Sequence, residues 1–223
     1  MIGCPVRNRA WILPEYLRCL ENLDYPEDKK TYCFIVNDCQ DETPEILMEF
    51  AQRQPGQVSL VVDNSDTGGY LRGHYSFRRL AYLRNLLLRE FLRSECDLLF
   101  SIDSDILVPP DALRVLNSHN CDIVSCLVCN GKEIGDLSIY NVLCKNEAGH
   151  YIHMKPVPRD RLFRVDCTGA AYLIRRQVLM GPDIRYSDLY GAEDIGFCES
   201  AARQGVEIYC DGRLEVTHVM KRL

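Results

Sequence analysis

Short apolar runs of roughly four to eight residues alternate along this chain with longer amphipathic stretches. That alternation constrains the fold more than any other feature, because apolar strands separated by helices build an α/β domain around a mainly parallel sheet. Candidate strands occupy residues 2–6, 32–36, 58–62, 97–102 and 121–128, with a strand-like stretch at 165–174 and closing strands at 206–209 and 214–219. Helical periodicity covers 13–23, 45–54, 77–92 and 193–204, and a further helix starts at Pro109. Residues 131–164 lack a clean period and read as an excursion of hairpins and loops. The polar stretch 63–75, with Gly68, Gly69 and Gly73, reads as a loop that handles ligand. No linker interrupts the pattern, so residues 1–223 are expected to form one domain.

Composition narrows the partners. The formal net charge is −6, which argues against nucleic acid as the main partner, since phosphate contacts need concentrated positive charge. A local basic cluster between Arg72 and Arg93 still suits one small phosphorylated ligand. No apolar run reaches the roughly 20 residues that cross a bilayer. The first residues, Met1-Ile2-Gly3-Cys4-Pro5, enter a strand without the basic and apolar regions of a signal peptide. A cytoplasmic protein is therefore expected, one that works either in solution or at a membrane periphery. The twelve cysteines sit largely inside apolar runs, as Cys33 does, and read as reduced, buried thiols. Cys126 and Cys129 form a CxxC, but there is no second CxxC to complete a four-thiolate zinc site.

The chemistry concentrates at a few positions. The strand at 97–102 ends in Asp103-Ser104-Asp105, and ligands in open α/β sheets bind beyond the carboxyl ends of strands. Two carboxylates so close repel each other unless a cation joins them, and Mg2+ or Mn2+ accepts carboxylate together with phosphate oxygens. The alternative is a pair of solvated acids that cap the following helix. Glu193-Asp194 opens a helix after Gly191, where carboxylates either complement the helix dipole or present a general base to a hydroxyl. His218, on an alternating stretch, is either a strand histidine or a further ligand beside Asp105. Arg84 stands four positions after Leu80, on the apolar stripe of Leu80, Leu83, Leu87 and Phe91, and so needs a buried anionic partner. Asp38, Asp103 and a substrate phosphate all qualify.

Taken in order, these pieces resemble a known family. They are Pro5-Val6-Arg7-Asn8-Arg9, Asn37-Asp38, Asp41-Glu42-Thr43, Leu83-Arg84-Asn85, Asp103-Ser104-Asp105, Thr168-Gly169-Ala170, Glu193-Asp194 and His218. The set resembles the GT-A-fold nucleotide-sugar glycosyltransferases, nearest to the large family 2 type. The resemblance implies a Rossmann-like, mainly parallel sheet flanked by helices. It implies a nucleotide-sugar donor, a UDP-sugar on the family pattern, and a glycan, lipid-linked or protein acceptor. Asp105 and His218 would hold Mn2+ or Mg2+, with Asp103 and Ser104 on the nucleotide side. Pro5, Val6 and Arg7 would line the nucleotide pocket, Asp38 would meet the base, and Arg84 and Asn85 would stand near the donor. Gly169 would border the sugar or acceptor. Glu193 and Asp194 would be the catalytic carboxylates, Asp194 serving as the base of an inverting reaction.

The sequence departs from the pattern at Asn37-Asp38-Cys39, where paired acids followed by small residues are usual. Arg84-Asn85 and residues 103–107 also resemble mannosyltransferases of the same fold, which retain configuration and use GDP-mannose. On that kinship Asp194 need not be a base. A phosphatase of the HAD type also ends a strand in Asp-x-Asp, but near the N-terminus rather than at residue 103. A nucleotidyltransferase would need a Gly-rich phosphate loop where Pro5–Arg9 has no glycine. A sheet of this kind that only binds sugar nucleotides is the non-enzymatic alternative.

Overall fold

The computed structural model describes residues 1–65, 71–72, 75–131, 135–181 and 183–220. Gly68, Gly69 and Gly73 of the expected ligand loop lie outside the described residues. The chain runs β1 (Ile2–Val6), α1 (Leu13–Glu21), β2 (Tyr32–Val36), α2 (Thr43–Arg53) and β3 (Val58–Val62). The small hairpin of β4 (Leu71–Arg72) and β5 (Tyr75–Ser76) leads into the long α3 (Phe77–Arg93). β6 (Leu98–Ile102), β7 (Ile106–Leu107), α4 (Ala112–Ser118) and β8 (Ile123–Val128) follow. The excursion contains β9 (Val142–Lys145), β10 (Tyr151–His153), β11 (Leu162–Val165) and β12 (Cys167–Thr168). β13 (Ala171–Arg175), α5 (Arg176–Leu179), α6 (Glu193–Arg203) and β14 (Ile208–His218) complete the chain.

The main sheet has the order β11-β14-β8-β13-β6-β1-β2-β3. β3, β2, β1 and β6 are parallel neighbours, as are β8 and β14. β13 inserts antiparallel between β6 and β8, and β11 lies antiparallel to β14 at the edge. A second sheet, β10-β9-β12, stands beside it. Both faces of the main sheet are covered, so its central strands are apolar on both sides rather than alternating. Tyr32, Phe34 and Val36 of β2 pack with Tyr16 and Leu17 of α1 and Phe50 of α2. Cys33 and Ile35 turn to the other face, against Leu83, Leu87 and Phe91 of α3 and Phe197 of α6. The helices keep to sequence logic. Pro14 and Pro44 stand in the first turns of α1 and α2, and the Ser76 hydroxyl accepts from Arg79 N at 3.2 Å to cap α3.

Three expectations change. The strand-like stretch 165–174 is three pieces, the end of β11, then β12 and β13, because Ala170 adopts φ 66° and turns the chain after Gly169. The two closing strands are one, β14, whose register against β8 slips between Asp211 and Glu215. The short α5 went unforeseen, since four residues are too few to show a period.

One close approach holds the sheet and α3 together. A Cβ at Gly3 would lie 1.9 Å from the Cys33 carbonyl oxygen and 3.2 Å from Leu87. Neither backbone strand has room to yield. Gly3→Ala is therefore expected to lower stability by at least about 2 kcal/mol. Urea denaturation measures this, and an unchanged midpoint would contradict the packing described.

Candidate active site

The carboxyl ends of β1, β2, β6 and β14 converge on one side of the sheet. Asp103 follows β6, and its N–H donates to the Ala170 carbonyl at 2.8 Å, which anchors the acidic turn to the turn before β13. Ser104 is buried, and Ile106 N bonds back to Asp103 O at 2.9 Å. The turn carries the chain into β7, which pairs His218 with Ile106 in β14. Val219 N then donates to Asp105 O at 2.8 Å. This backbone pairing is what carries a residue from the far end of the chain to the acidic turn. His218 Nε2 stands 3.8 Å from Asp105 Oδ1, and Arg9 Nη2 lies 3.1 Å from Asp105 Oδ2.

Asp105 and His218 could hold a metal. Their separation is too long for a hydrogen bond, and it suits two ligands of one hard cation bound at roughly 2.0–2.2 Å to each. His218 Nδ1 is buried without a partner. Burial, and then the neighbouring Asp103 charge, raises the Asp105 carboxyl above its ordinary value, the cost that a cation would relieve. Among the described residues no three His, Cys, Asp or Glu side chains gather as a closed metal cage. The donor set therefore fits an ion that completes its shell with substrate phosphate and water.

Arg84 is the centre of the second cluster. Its guanidinium is 6% exposed and donates from Nη2 to Asp103 Oδ1 at 2.8 Å and from Nε to Glu193 Oε1 at 3.1 Å. Asp194 Oδ1 is 3.9 Å from Nε, and the Tyr186 ring centroid lies 5.7 Å from the guanidinium carbon. Of the three partners open on sequence grounds, the protein's own Asp103 takes this role, and Glu193 joins it unforeseen. Asn85 exchanges two bonds with the backbone of Tyr186, each 2.9 Å, and so acts on the segment that leads to α6.

Glu193 and Asp194 open α6 but face different surroundings. Glu193 is buried on Arg84. Asp194 is 24% exposed on its side chain, and its Oδ1 has no hydrogen-bond partner. Its carboxyl is raised well above the ordinary range by burial and then by the Glu193 charge. Gly169 makes room for it, since a Cβ there would lie 2.2 Å from Asp194 Oδ2. The Gly169 turn is itself pinned by Asn141, whose amide donates to the carbonyls of Gly169 and Cys126 at 2.9 and 3.0 Å. Asn141 sits in the aperiodic excursion, where nothing in the sequence marks it. Arg84 Nη1, Asp194 Oδ1 and His218 Nδ1 are thus three buried polar atoms without a hydrogen-bond partner, a condition that a bound ligand would relieve.

A cavity of about 330 Å3 is lined in part by Pro5, Arg7, Asn37, Arg79 and, from the acidic turn, Ser104, while Arg84, Asp103, Asp105, Asp194 and His218 are not in its lining. Val6 is buried in β1 behind it. Asp38, at φ 45°, does not line it, while its neighbour Asn37 does. The arginines of α3 are engaged by protein acids, Arg78 by Asp188, Arg79 by Asp63 and Arg93 by Glu90. Arg79 of this stretch also lines the cavity. Cys126 is fully buried in β8, and the Cys129 thiol points to the Leu137 carbonyl.

This topology, with its acidic turn at the sheet's carboxyl edge, is the GT-A glycosyltransferase fold. Comparison with solved structures bears that out. The N-terminal 1–349 region of S. aureus TarS in complex with UDP-GlcNAc superposes with TM-score 0.65 and 16% identity, over 100% of this chain and 58% of that one. The mannosyltransferase PcManGT from Pyrobaculum calidifontis, in complex with GDP-Man and Mn2+, gives 0.66 and 19%, over 99% and 57%. GalNAc-T7 with UDP, GalNAc and Mn2+ gives 0.69 and 13%, over 99% and 43%. Among curated proteins, procollagen-lysine,2-oxoglutarate 5-dioxygenase 1 of Gallus gallus is 24% identical over 232 residues, covering 99% of this chain. The chain spans only 30% of that relative's length. No family model matches the sequence.

Two substitutions test this geometry. Gly169→Ala is expected to displace the Asp194 carboxylate and cost about 1–3 kcal/mol, measured by chemical denaturation. Asp194→Asn removes a carboxyl whose folded-state pKa lies above its ordinary 3.8, so ionised Asp194 opposes folding. The variant is expected to be more stable at neutral pH by on the order of 1 kcal/mol. That gain should grow as pH rises from 3.8 through the raised value and then level off. A gain that is independent of pH, read from melting curves, would contradict the buried setting of this carboxyl.

Proposed function

We propose that this chain is a metal-dependent glycosyltransferase that moves a sugar from a nucleotide-sugar donor to an acceptor hydroxyl with inversion. One observation carries the reading. A buried carboxylate oxygen on Asp194 that has no hydrogen-bond partner stands across Arg84 from the acidic turn, whose Ser104 lines a cavity of about 330 Å3. The fold shared with structures that hold UDP-GlcNAc, GDP-Man and Mn2+ supports a nucleotide-sugar in that cavity.

In this reading Pro5, Arg7 and Asn37 shape the nucleotide seat in front of the buried Val6, and Asp38, next to Asn37 but outside the cavity lining, would meet the base. Asp103 and Ser104 meet the ribose and the metal shell. Asp105 and His218 hold Mn2+ or Mg2+. A cation bound there offsets the negative charge of the nucleoside diphosphate as it departs. Asp194 takes the proton from the acceptor hydroxyl, and its raised pKa improves it as a base near neutral pH. The acceptor oxygen then bonds to the anomeric carbon on the face opposite the leaving diphosphate. Gly169 borders the sugar and leaves Asp194 the space to approach it. Among the described residues no helix is long and apolar enough to cross a membrane.

Calorimetric titration with UDP, and in parallel GDP, tests the donor seat. Wild type is expected to bind one of the two only with Mn2+, and Asp105→Ala to weaken that binding by at least about tenfold. A preference for UDP matches the reading above, and a preference for GDP moves the donor to GDP-mannose. Binding of neither nucleotide, with or without Mn2+, would refute the transferase reading.

A further inference from the structure

The two carboxylates at the start of α6 are adjacent in sequence and differ in everything else. Glu193 is 6% exposed on its side chain and bonds to Arg84, whereas Asp194 keeps an unpaired oxygen 3.9 Å from the same guanidinium. Arg84 therefore stands between two acids of α6 and Asp103 of the acidic turn. Its position is over-determined by geometry. The Tyr186 ring lies against its face, Asn85 holds the backbone of Tyr186 from both sides, and the Tyr186 hydroxyl bonds to that of Tyr172. Within that cage, the Nε bond to Glu193 and the Nη2 bond to Asp103 set the guanidinium plane, and Nη1 is left unpaired.

A guanidinium with three acids around it will pair with whichever are nearest and ionised. Were Glu193 neutral, Arg84 would be free to close the 3.9 Å gap to Asp194. That movement would tie up the acceptor-side carboxylate and draw Nη2 away from Asp103.

We propose that Glu193 is a positioning residue rather than a second base. Its buried carboxylate holds Arg84 on Asp103, which sets the nucleotide side of the site, and keeps Arg84 off Asp194, which leaves that carboxylate available to the acceptor. The proposal rests on the glycosyltransferase reading. It separates the roles of two residues that a motif would treat as one unit, and it routes the influence of Glu193 through Arg84 alone.

The test uses Glu193→Gln, Glu193→Asp, Arg84→Lys and the double variant Glu193→Gln/Arg84→Lys, each checked by circular dichroism and melting temperature. The readout is affinity for UDP or GDP, whichever wild type takes, in the presence of Mn2+. A residue serving only as a base has no bearing on that affinity. Glu193→Gln is expected to weaken it by about tenfold, the scale of one charge-assisted hydrogen bond. Glu193→Asp, which keeps the charge, should recover most of the loss. The double variant should bind no more weakly than Arg84→Lys alone, because both changes cut one chain of contacts. Wild-type affinity in a folded Glu193→Gln would overturn the proposal, as would additive losses in the double variant. If Glu193→Gln does not fold, the ratio of Glu193→Asp to wild type decides, and a loss as large as that of Arg84→Lys counts against charge positioning. Wild type binding neither nucleotide would fell the transferase reading and this proposal together, an outcome distinct from an unresponsive Glu193.

Discussion

A single buried guanidinium organises this molecule's reactive edge. Arg84 projects from the face of α3 that packs against the sheet, where a positive charge without partners would be destabilising by several kcal/mol. Its partners come from distant parts of the chain, Asp103 from the end of β6 and Glu193 from the start of α6. The ion pairs thus join three elements that the hydrophobic core alone would place only loosely. They also put four carboxylates, Asp103, Asp105, Glu193 and Asp194, around one edge of the sheet, where like charges repel. The raised pKa values of Asp105 and Asp194 record that crowding, burial being the larger cause in each. Apolar side chains of similar volume would pack there at less cost.

The other half of the site depends on β14. It pairs with β8 on both sides of a register slip between Asp211 and Glu215, and with β7 at its end. The slip region is itself secured by Asp211, buried and bonded to His119 at 2.8 Å and to Arg213 through both carboxylate oxygens. Through this strand His218 reaches Asp105, and the turn after β6 acquires its imidazole neighbour. The loop after β1 closes the remaining side. Arg9 N donates to Thr43 Oγ1 at 2.7 Å, Ala10 N to Asp41 Oδ2 at 3.0 Å, and Arg9 reaches Asp105. The polar segment leading into α2 therefore positions the loop that carries Arg9 to Asp105.

Much of this architecture was legible in the residues. β1 and β2 begin and end where their apolar runs do, because buried parallel strands write continuous hydrophobicity into the chain, and β3, the part-exposed edge strand, also matches its run. The helical period alone put Arg84 on the buried stripe of α3. What local pattern cannot carry is pairing between distant residues. The partner of Arg84 on α6, the unequal surroundings of Glu193 and Asp194, and the service of Asn141 to the Gly169 turn all arise from tertiary contacts. The break within residues 165–174 escaped notice because Cys167, Thr168, Ala170 and Ala171 are as compatible with a strand as with the turn they make. Helix α6 was legible from its period, but the direction each of its first two acids faces was not.

Asp105 and His218 are proposed to seat a divalent cation with the diphosphate of a nucleotide donor, within reach of the Asp103–Arg84–Glu193 chain. Anomalous diffraction at the manganese edge, on crystals grown with Mn2+ and the nucleotide the protein binds, tests it most directly. A single strong peak is expected within bonding distance of an Asp105 carboxylate oxygen and a His218 ring nitrogen, with the diphosphate completing the shell. Manganese bound elsewhere with the nucleotide, or nucleotide bound in the cavity with no metal at Asp105, would contradict it.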